Sequence, residues 1–359
     1  MLKIISIGLG ASRIIEKLSI KEELCISQIL VNDKTHFEKS KIKEKIHLEI
    51  PLEAFKNFSV DPIHFESYIK NNRSQLQSFW HDADFVFFLA CLGESETCSI
   101  LPVLTHWVME DQTLAIPLLT FPFTFEGNYR TEKAYQILNH LPDDMDRAIF
   151  FNDDILSFVG KDAKFDYIFE IANDYVATGV RTLSQMLSTN GLFKVNFSDI
   201  CEVFRNNTHV FMSVGEGRGH GGLQVAFKKA LESPLFNEAN MANLNHIIFH
   251  ILVGKEGVPV REIDQGMKAF TEKLFPHSQI IFGADISTDD GDWVKVSIIA
   301  AHDLDQFAED HPKEQDSVYQ ERQKNLLHTK GQFAKTEPTV YQGIDLDIPT
   351  YLRRRIKSI

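Results

Sequence analysis

The sequence predicts an α/β protein: a doubly wound, mostly parallel sheet, a long central helix, a second α+β subdomain, then a flexible linker and a tail peptide. Three observations predict it. Strand-like apolar runs at 2–8, 26–32, 83–90, 115–120 and 147–151 alternate with helix-length segments, a pattern that favours parallel strands with a ligand at their C-terminal ends. Phe165, Ile168, Phe169, Ala172, Val176, Val180, Leu183 and Leu187 keep helical spacing over 165–188, where Asn190-Gly191 stops the helix. Residues 303–344 are sparse in apolar side chains and carry eight acids against five Lys or Arg, which reads as a linker with one helix-compatible stretch at Val318–Leu327.

Taken in order, Met1-Leu2-Lys3-Ile4-Ile5-Ser6-Ile7-Gly8 is a buried strand ending at a glycine turn, without the cleavage region of an export signal. Gly8-Leu9-Gly10-Ala11-Ser12-Arg13 follows it. Its G-x-G start could suit a dinucleotide, with Asp33 on a ribose, but Arg13 holds the place of the third glycine. Ile116–Thr120 is a strand end running into the turn Phe121-Pro122-Phe123-Thr124-Phe125-Glu126-Gly127. There Glu126 offers a carboxylate to sugar hydroxyls and Arg130 a guanidinium to a phosphate or base. Phe169 and Asn173 are four apart and share a helix face. Beyond 191, strands at 279–286 and 293–301 are joined by the turn Asp289-Asp290-Gly291-Asp292. Gly215-Glu216-Gly217-Arg218-Gly219-His220-Gly221-Gly222 is the most glycine-rich segment and reads as a flexible surface loop.

Composition excludes some functions. A net charge of −13 argues against a general nucleic-acid surface. No run approaches the roughly 18 apolar residues of a membrane span. Cys25, Cys91, Cys98 and Cys201 lack zinc-ligand spacing, so no metal site is assigned, and free thiols suit a reducing cytoplasm. At 359 residues the chain can hold two compact units.

Several segments resemble the FtsZ family. Thr120–Gly127 resembles its T-[KR]-P-F-x-F-E-G segment. Ala83-Asp84-Phe85-Val86-Phe87 and Pro102-Val103 are similar to the strand and helix flanking its phosphate loop. Phe150-Phe151-Asn152-Asp153 stands where the family has I-P-N-D, and Phe169–Asp174 resembles the start of its central helix. Lys228–Leu235, Ile280–Ala284 and Asp292–Val296 resemble its second subdomain. Leu346-Asp347-Ile348-Pro349-Thr350-Tyr351-Leu352-Arg353-Arg354 is close to its C-terminal partner-binding peptide.

The resemblance implies a tubulin/FtsZ-like fold with a GTPase-like domain at 1–164, a central helix at 165–190, a C-terminal subdomain at 191–302, a linker at 303–344 and a tail at 345–359. It implies GTP or GDP, with Mg²⁺, in a pocket formed by Gly8, Gly10, Ala11, Ser12, Gly93, Ser95, Glu96, Thr97, Glu126, Arg130, Asn152, Phe169 and Asn173. Phe169 would stack on guanine and Asn173 bond its edge; a core aromatic is the other reading of Phe169. The pattern departs from the family at the phosphates. In place of G-G-G-T-G-T-G the chain has Gly93-Glu94-Ser95-Glu96-Thr97-Cys98-Ser99. Glu94 and Glu96 either cap the next helix, with Ser95 or Thr97 as N-cap, or one of them holds Mg²⁺. Arg13 would partly compensate the lost glycines.

The family's catalytic N-x-D-F-x-D loop, presented by a neighbouring molecule, is matched by Lys194-Val195-Asn196-Phe197-Ser198-Asp199. Asp199 survives, but Asn196 cannot accept a proton as a carboxylate does, and a positioned base contributes about 10²–10⁴ in rate. Lys194 would pair with Glu94 or Glu96 of the next molecule.

The expected function is an FtsZ-like cytoskeletal cell-division protein with weak or lost GTPase activity. It would self-associate or co-assemble with a conventional FtsZ, in the cytoplasm at the division site. Ile348, Pro349, Tyr351, Leu352 and Arg353 would dock on an FtsA-like membrane tether. Two alternatives stand beside it: an active polymerising GTPase with atypical loops, and a sensor or enzyme using the pocket for another small molecule.

Overall fold

In the computed structural model the alternating apolar runs become one ten-stranded sheet. Described are residues 1–18, 24–55, 62–142, 145–157, 163–188, 195–205, 207–233, 246–271, 278–287 and 290–303, with 159, 193, 236, 244, 340–341 and 344–345. The chain divides into two units, 1–307 and 308–359. In the second, β11 (Val340–Tyr341) pairs antiparallel with β12 (Ile344–Asp345). The linker helix expected at Val318–Leu327 and the tail beyond Asp345 lie outside the described residues.

The strands of the first unit are β1 (Leu2–Ile7), β2 (Cys25–Val31), β3 (Glu44–Leu48), β4 (Phe85–Cys91), β5 (Leu114–Phe121), β6 (Arg147–Phe151), β7 (Asn207–Arg218), β8 (His246–Val253), β9 (Gln279–Ile286) and β10 (Trp293–Asp303). Their order is β3-β2-β1-β4-β5-β6-β7-β10-β8-β9. All neighbours are parallel except the two pairings of β10, with β7 and with β8. The expected turn therefore does not close a hairpin: β9 pairs with β8, and β10 inserts between β7 and β8. Turn residues show where a chain reverses, whereas sheet order depends on which apolar face each strand buries.

Strand periodicity explains the layering. Along β4, Val86, Phe88 and Ala90 enter one core while Phe87 and Leu89 enter another, because successive side chains point to opposite faces. The first core lies under α3 (Pro62–Ile69), α4 (Arg73–Gln77), α5 (Ser95–Glu110) and α6 (Asn128–Leu138). The second lies under α1 (Gly8–Lys17), α7 (Phe165–Ser188) and α8 (Phe197–Val203). A short α2 (Lys34–Lys39) stands beside β2 and β3. A third core joins β7, β8 and β10 to α9 (Gly222–Leu231) and α10 (Val260–Thr271). Pro117 is accommodated inside β5 because β6 pairs only from Leu118 onward, leaving no ladder bond to lose on that side.

The glycine-rich segment is not a loop up to Arg218. Gly215 and Gly217 lie within β7, and Gly222 opens α9. A Cβ on Gly215 would stand 1.9 Å from the Ala226 carbonyl oxygen, and one on Gly217 1.9 Å from that of Gly222. These glycines let a helix backbone rest on a strand backbone.

Candidate functional site

The C-terminal ends of β1, β4, β5 and β6 open on a cavity of ≈ 860 Å³, as a doubly wound sheet leads one to expect. Its walls bring together Gly10, Arg13, Glu126, Arg130, Asn152, Phe169 and Asn173, all singled out in the sequence. Leu9, Glu16, Lys17, Cys91, Leu92, Glu94, Thr120, Pro122, Phe165, Asp166, Glu170 and Ala172 complete the lining. Gly8, Ala11, Ser12 and Thr97 are packed behind it. Ala11, Ser12 and Thr97 are fully buried, and the Ser12 hydroxyl donates to the Gly8 carbonyl at 2.7 Å.

One wall is aromatic. Phe169 meets Phe165 at 5.0 Å and Phe123 at 5.2 Å between ring centroids, and Phe123 stacks on Phe125 at 4.7 Å. Phe165 continues the apolar helical pattern yet is 66% exposed. The pattern opens with a ring facing the cavity mouth, outside the core that its spacing predicts. A planar ligand could stack here, and the amides of Asn152 and Asn173 provide donors and acceptors beside it.

The polar groups at the sugar end are already engaged. Glu126 Oε1 accepts the Phe123 N–H at 2.9 Å, while Oε2 meets Arg130 Nη1 at 2.5 Å. Across the rim, Lys17 Nζ reaches Glu170 at 3.0 Å and Asp174 at 3.3 Å, fastening α1 to α7. These contacts raise the Lys17 pKa, the Glu170 hydrogen bond most. Arg13 is exposed and makes no ion pair among the described residues.

The phosphate end differs most from expectation. α1 begins directly at Gly8, with φ of +83°, so no loop separates β1 from its helix. The first N–H groups of a helix lack intrahelical partners and attract anions. Here the anion belongs to the protein: the Gly10 N–H donates to Glu94 Oε1 at 3.1 Å and lies 3.3 Å from Oε2. The Thr97 hydroxyl lies 3.3 Å from Glu94 Oε2 and 3.3 Å from the Ile7 carbonyl. A Cβ on Gly8 would fall 2.4 Å from Thr97 Oγ1, and one on Gly10 2.7 Å from both Cys91 Sγ and Glu94 Oε1. Both glycines admit the chain's own side chains.

Glu94, not Ser95 or Thr97, is the N-cap residue of α5, and its carboxylate accepts the Gly10 N–H of α1. Gly93 packs against the Arg130 carbonyl, with φ of +89°. Ser95 and Glu96 stand in the first turn of α5, their side chains outside the described residues. Leu9, Glu94 and Arg130 also line a neighbouring cavity of ≈ 530 Å³. Asp33 lines that second cavity and caps α2 through the His36 N–H at 2.9 Å.

Tested against a guanine nucleotide, the aromatic and amide end fits and the phosphate end does not. One unit charge 4 Å from Glu94 would cost about 4 kcal/mol at an effective dielectric near 20, or about 1 in water. For Mg²⁺, no three His, Cys, Asp or Glu side chains converge among the described residues. Cys91 offers no nucleophile: burial first, then the Glu94 charge, push its thiol well above the usual range.

The catalytic candidates sit elsewhere. Asp199 Oδ2 accepts the Asn196 N–H at 2.7 Å, tying both residues into the first turn of α8. Phe197 of that turn stacks on Phe85, at the start of β4, with centroids 4.5 Å apart. The cavity opens at Cys91, the other end of the same strand, about 20 Å away at 3.3 Å per residue. Asp199 and the cavity cannot serve one another within one chain. Lys194 lies outside the described residues.

Sequence reasoning named Glu94 but not its partner, since Gly10 is 84 residues away. Phe165, Lys17 and Glu170 were missed as lining residues. Phe165 stands four residues before Phe169 and Glu170 three before Asn173 on α7, same-face relations that could have found Phe165 and Glu170.

Comparison with known proteins agrees with this fold. The profile described as "FtsZ family, C-terminal domain" matches residues 209–303. Cell division protein FtsZ of Aquifex aeolicus (strain VF5) is 25% identical over 301 residues, covering 83% of this chain and 82% of that protein. An empty FtsZ dimer from M. jannaschii superimposes with a TM-score of 0.67 at 19% identity, covering 85% of this chain and 88% of the other. CetZ2 from Haloferax volcanii, solved as a GTPγS-bound protofilament, gives a TM-score of 0.63 at 13% identity, covering 88% and 98%. At such identities the two structures speak for the fold alone. Among the described residues no helix is long and apolar enough to cross a membrane.

Proposed function

Because this chain belongs to the tubulin/FtsZ superfamily, we propose that it is a filament-forming cell-division protein whose guanine-nucleoside pocket persists while GTP turnover is weak or absent. The observation that carries this is the separation of the pocket, at the C-terminal end of β4, from Asn196 and Asp199, at its start. Chemistry on a ligand would require a second copy stacked along the strand direction. What that copy presents is a neutral amide at Asn196 and an Asp199 carboxylate already accepting the Asn196 N–H. The loss of one positioned base removes about 10²–10⁴ in rate.

The surfaces then matter more than turnover. Self-association, or co-assembly with a conventional FtsZ, is the proposed activity. Attachment is assigned to the tail, with Ile348, Pro349, Tyr351, Leu352 and Arg353 as contacts for an FtsA-like tether. The division site in the cytoplasm is the proposed location.

Phosphate release measured with GTP and Mg²⁺ across a wide range of protein concentration tests this reading. Release at background throughout is expected. Mg²⁺-dependent release that climbs with protein concentration would instead establish an active GTPase with atypical loops.

A further inference from the structure

A helix N-terminus at the mouth of a nucleotide-like cavity invites an anion, and in this chain that place is taken. Glu94 bonds the Gly10 N–H through one or both carboxylate oxygens and stands beside Thr97 Oγ1. The close approach is built in: a Cβ on Gly8 or Gly10 would come within 2.9 Å of a Glu94 oxygen. Glu94 also lines both the cavity of ≈ 860 Å³ and its neighbour of ≈ 530 Å³. Of the cations that line the two cavities, Lys17 is paired with Glu170 and Asp174, Arg130 with Glu126, Lys133 lies over the Tyr129 ring, and Arg13 makes no ion pair among the described residues. At the other end Phe165 and Phe169 share the lining with Asn152 and Asn173, and the carboxylates Asp166 and Glu170 add negative charge there, not positive.

We propose that Glu94 is the resident anion of the phosphate seat and that the cavity takes an uncharged nucleoside, a planar base on a neutral sugar, in preference to a nucleoside triphosphate. The proposal rests on reading the cavity as a guanine-nucleoside pocket, and it makes Glu94 the specificity-determining residue. Affinity should fall as phosphates are added, because each charge approaches a carboxylate that already holds the helix N-terminus.

The test is calorimetric titration of the full chain with guanosine and, separately, with GTP and Mg²⁺. It is repeated on Glu94→Gln, which removes the charge and keeps an oxygen for Gly10, and on Glu94→Ala, which vacates the seat. Guanosine should bind the unaltered protein at least about ten-fold tighter than GTP. Glu94→Gln should narrow that gap, and Glu94→Ala should narrow or reverse it. If Glu94→Ala does not fold, the unaltered protein and Glu94→Gln still decide. GTP binding as tightly as guanosine to the unaltered protein, a gap unchanged by both substitutions, or no guanosine binding would each overturn the proposal. Sedimentation of the same samples keeps the two readings apart. Association without guanosine binding overturns only the ligand assignment; guanosine binding without association overturns only the filament reading.

Discussion

Single side chains here show how motif resemblance and chemical role can part. Glu126 and Arg130 keep the spacing that suggested ligand contacts, yet they bond one another and the start of their own turn. Asp199 survives in its motif and caps its own helix. Residue types and spacings were legible in the sequence; the partners chosen by each oxygen were not, since Glu94 finds Gly10 only after β1 and β4 pair in parallel. Half-buried acids of raised pKa give a prediction at this scale. Burial raises Cys91 and Tyr175 above their ordinary 9.0 and 10.0, and raises Cys201 to about 11. The folded state therefore holds protons that the unfolded chain releases, so stability is full below about pH 9 and falls as pH rises, by up to about 1.4 kcal/mol per unit for Cys91 and for Tyr175 and by less for the partly exposed, solvent-screened Cys201. Melting temperature should decline from pH 9 to 11, and Cys91→Ala should flatten part of that slope. Alkylation mapped by mass spectrometry at pH 8 should modify exposed Cys25 faster than the half-buried Cys91 and Cys201, whose thiols are held protonated.

At the scale of elements, strongly patterned runs were readable and weakly patterned ones were not. β1, β2, β4, β5, β6 and α7 stand close to where apolar periodicity puts them. β3, Glu44-Lys45-Ile46-His47-Leu48, escaped notice because an edge strand with one buried face carries too few apolar residues to announce itself. Glycine content misled in β7, where it reflects close packing of backbones and not mobility. Gly215→Ala and Gly217→Ala should therefore be destabilising by about 1–3 kcal/mol or more, because the obstructing atoms are backbone and cannot swing away. Urea unfolding would measure this; wild-type stability in both variants would show that α9 does not rest on β7 as described.

For the whole molecule, the parallel sheet sets the pocket at one end and α8 at the other, so pocket and loop can meet only between copies. On the proposed reading turnover would depend on assembly, but assembly would not depend on turnover. A chain with its own carboxylate in the phosphate seat is placed to associate through its surfaces without a triphosphate to time it. Sedimentation velocity over a concentration series, with and without GTP and Mg²⁺, tests this most directly. Concentration-dependent association of equal extent in both conditions is the predicted result. A protein that stays monomeric without nucleotide and assembles only when GTP is added would contradict it.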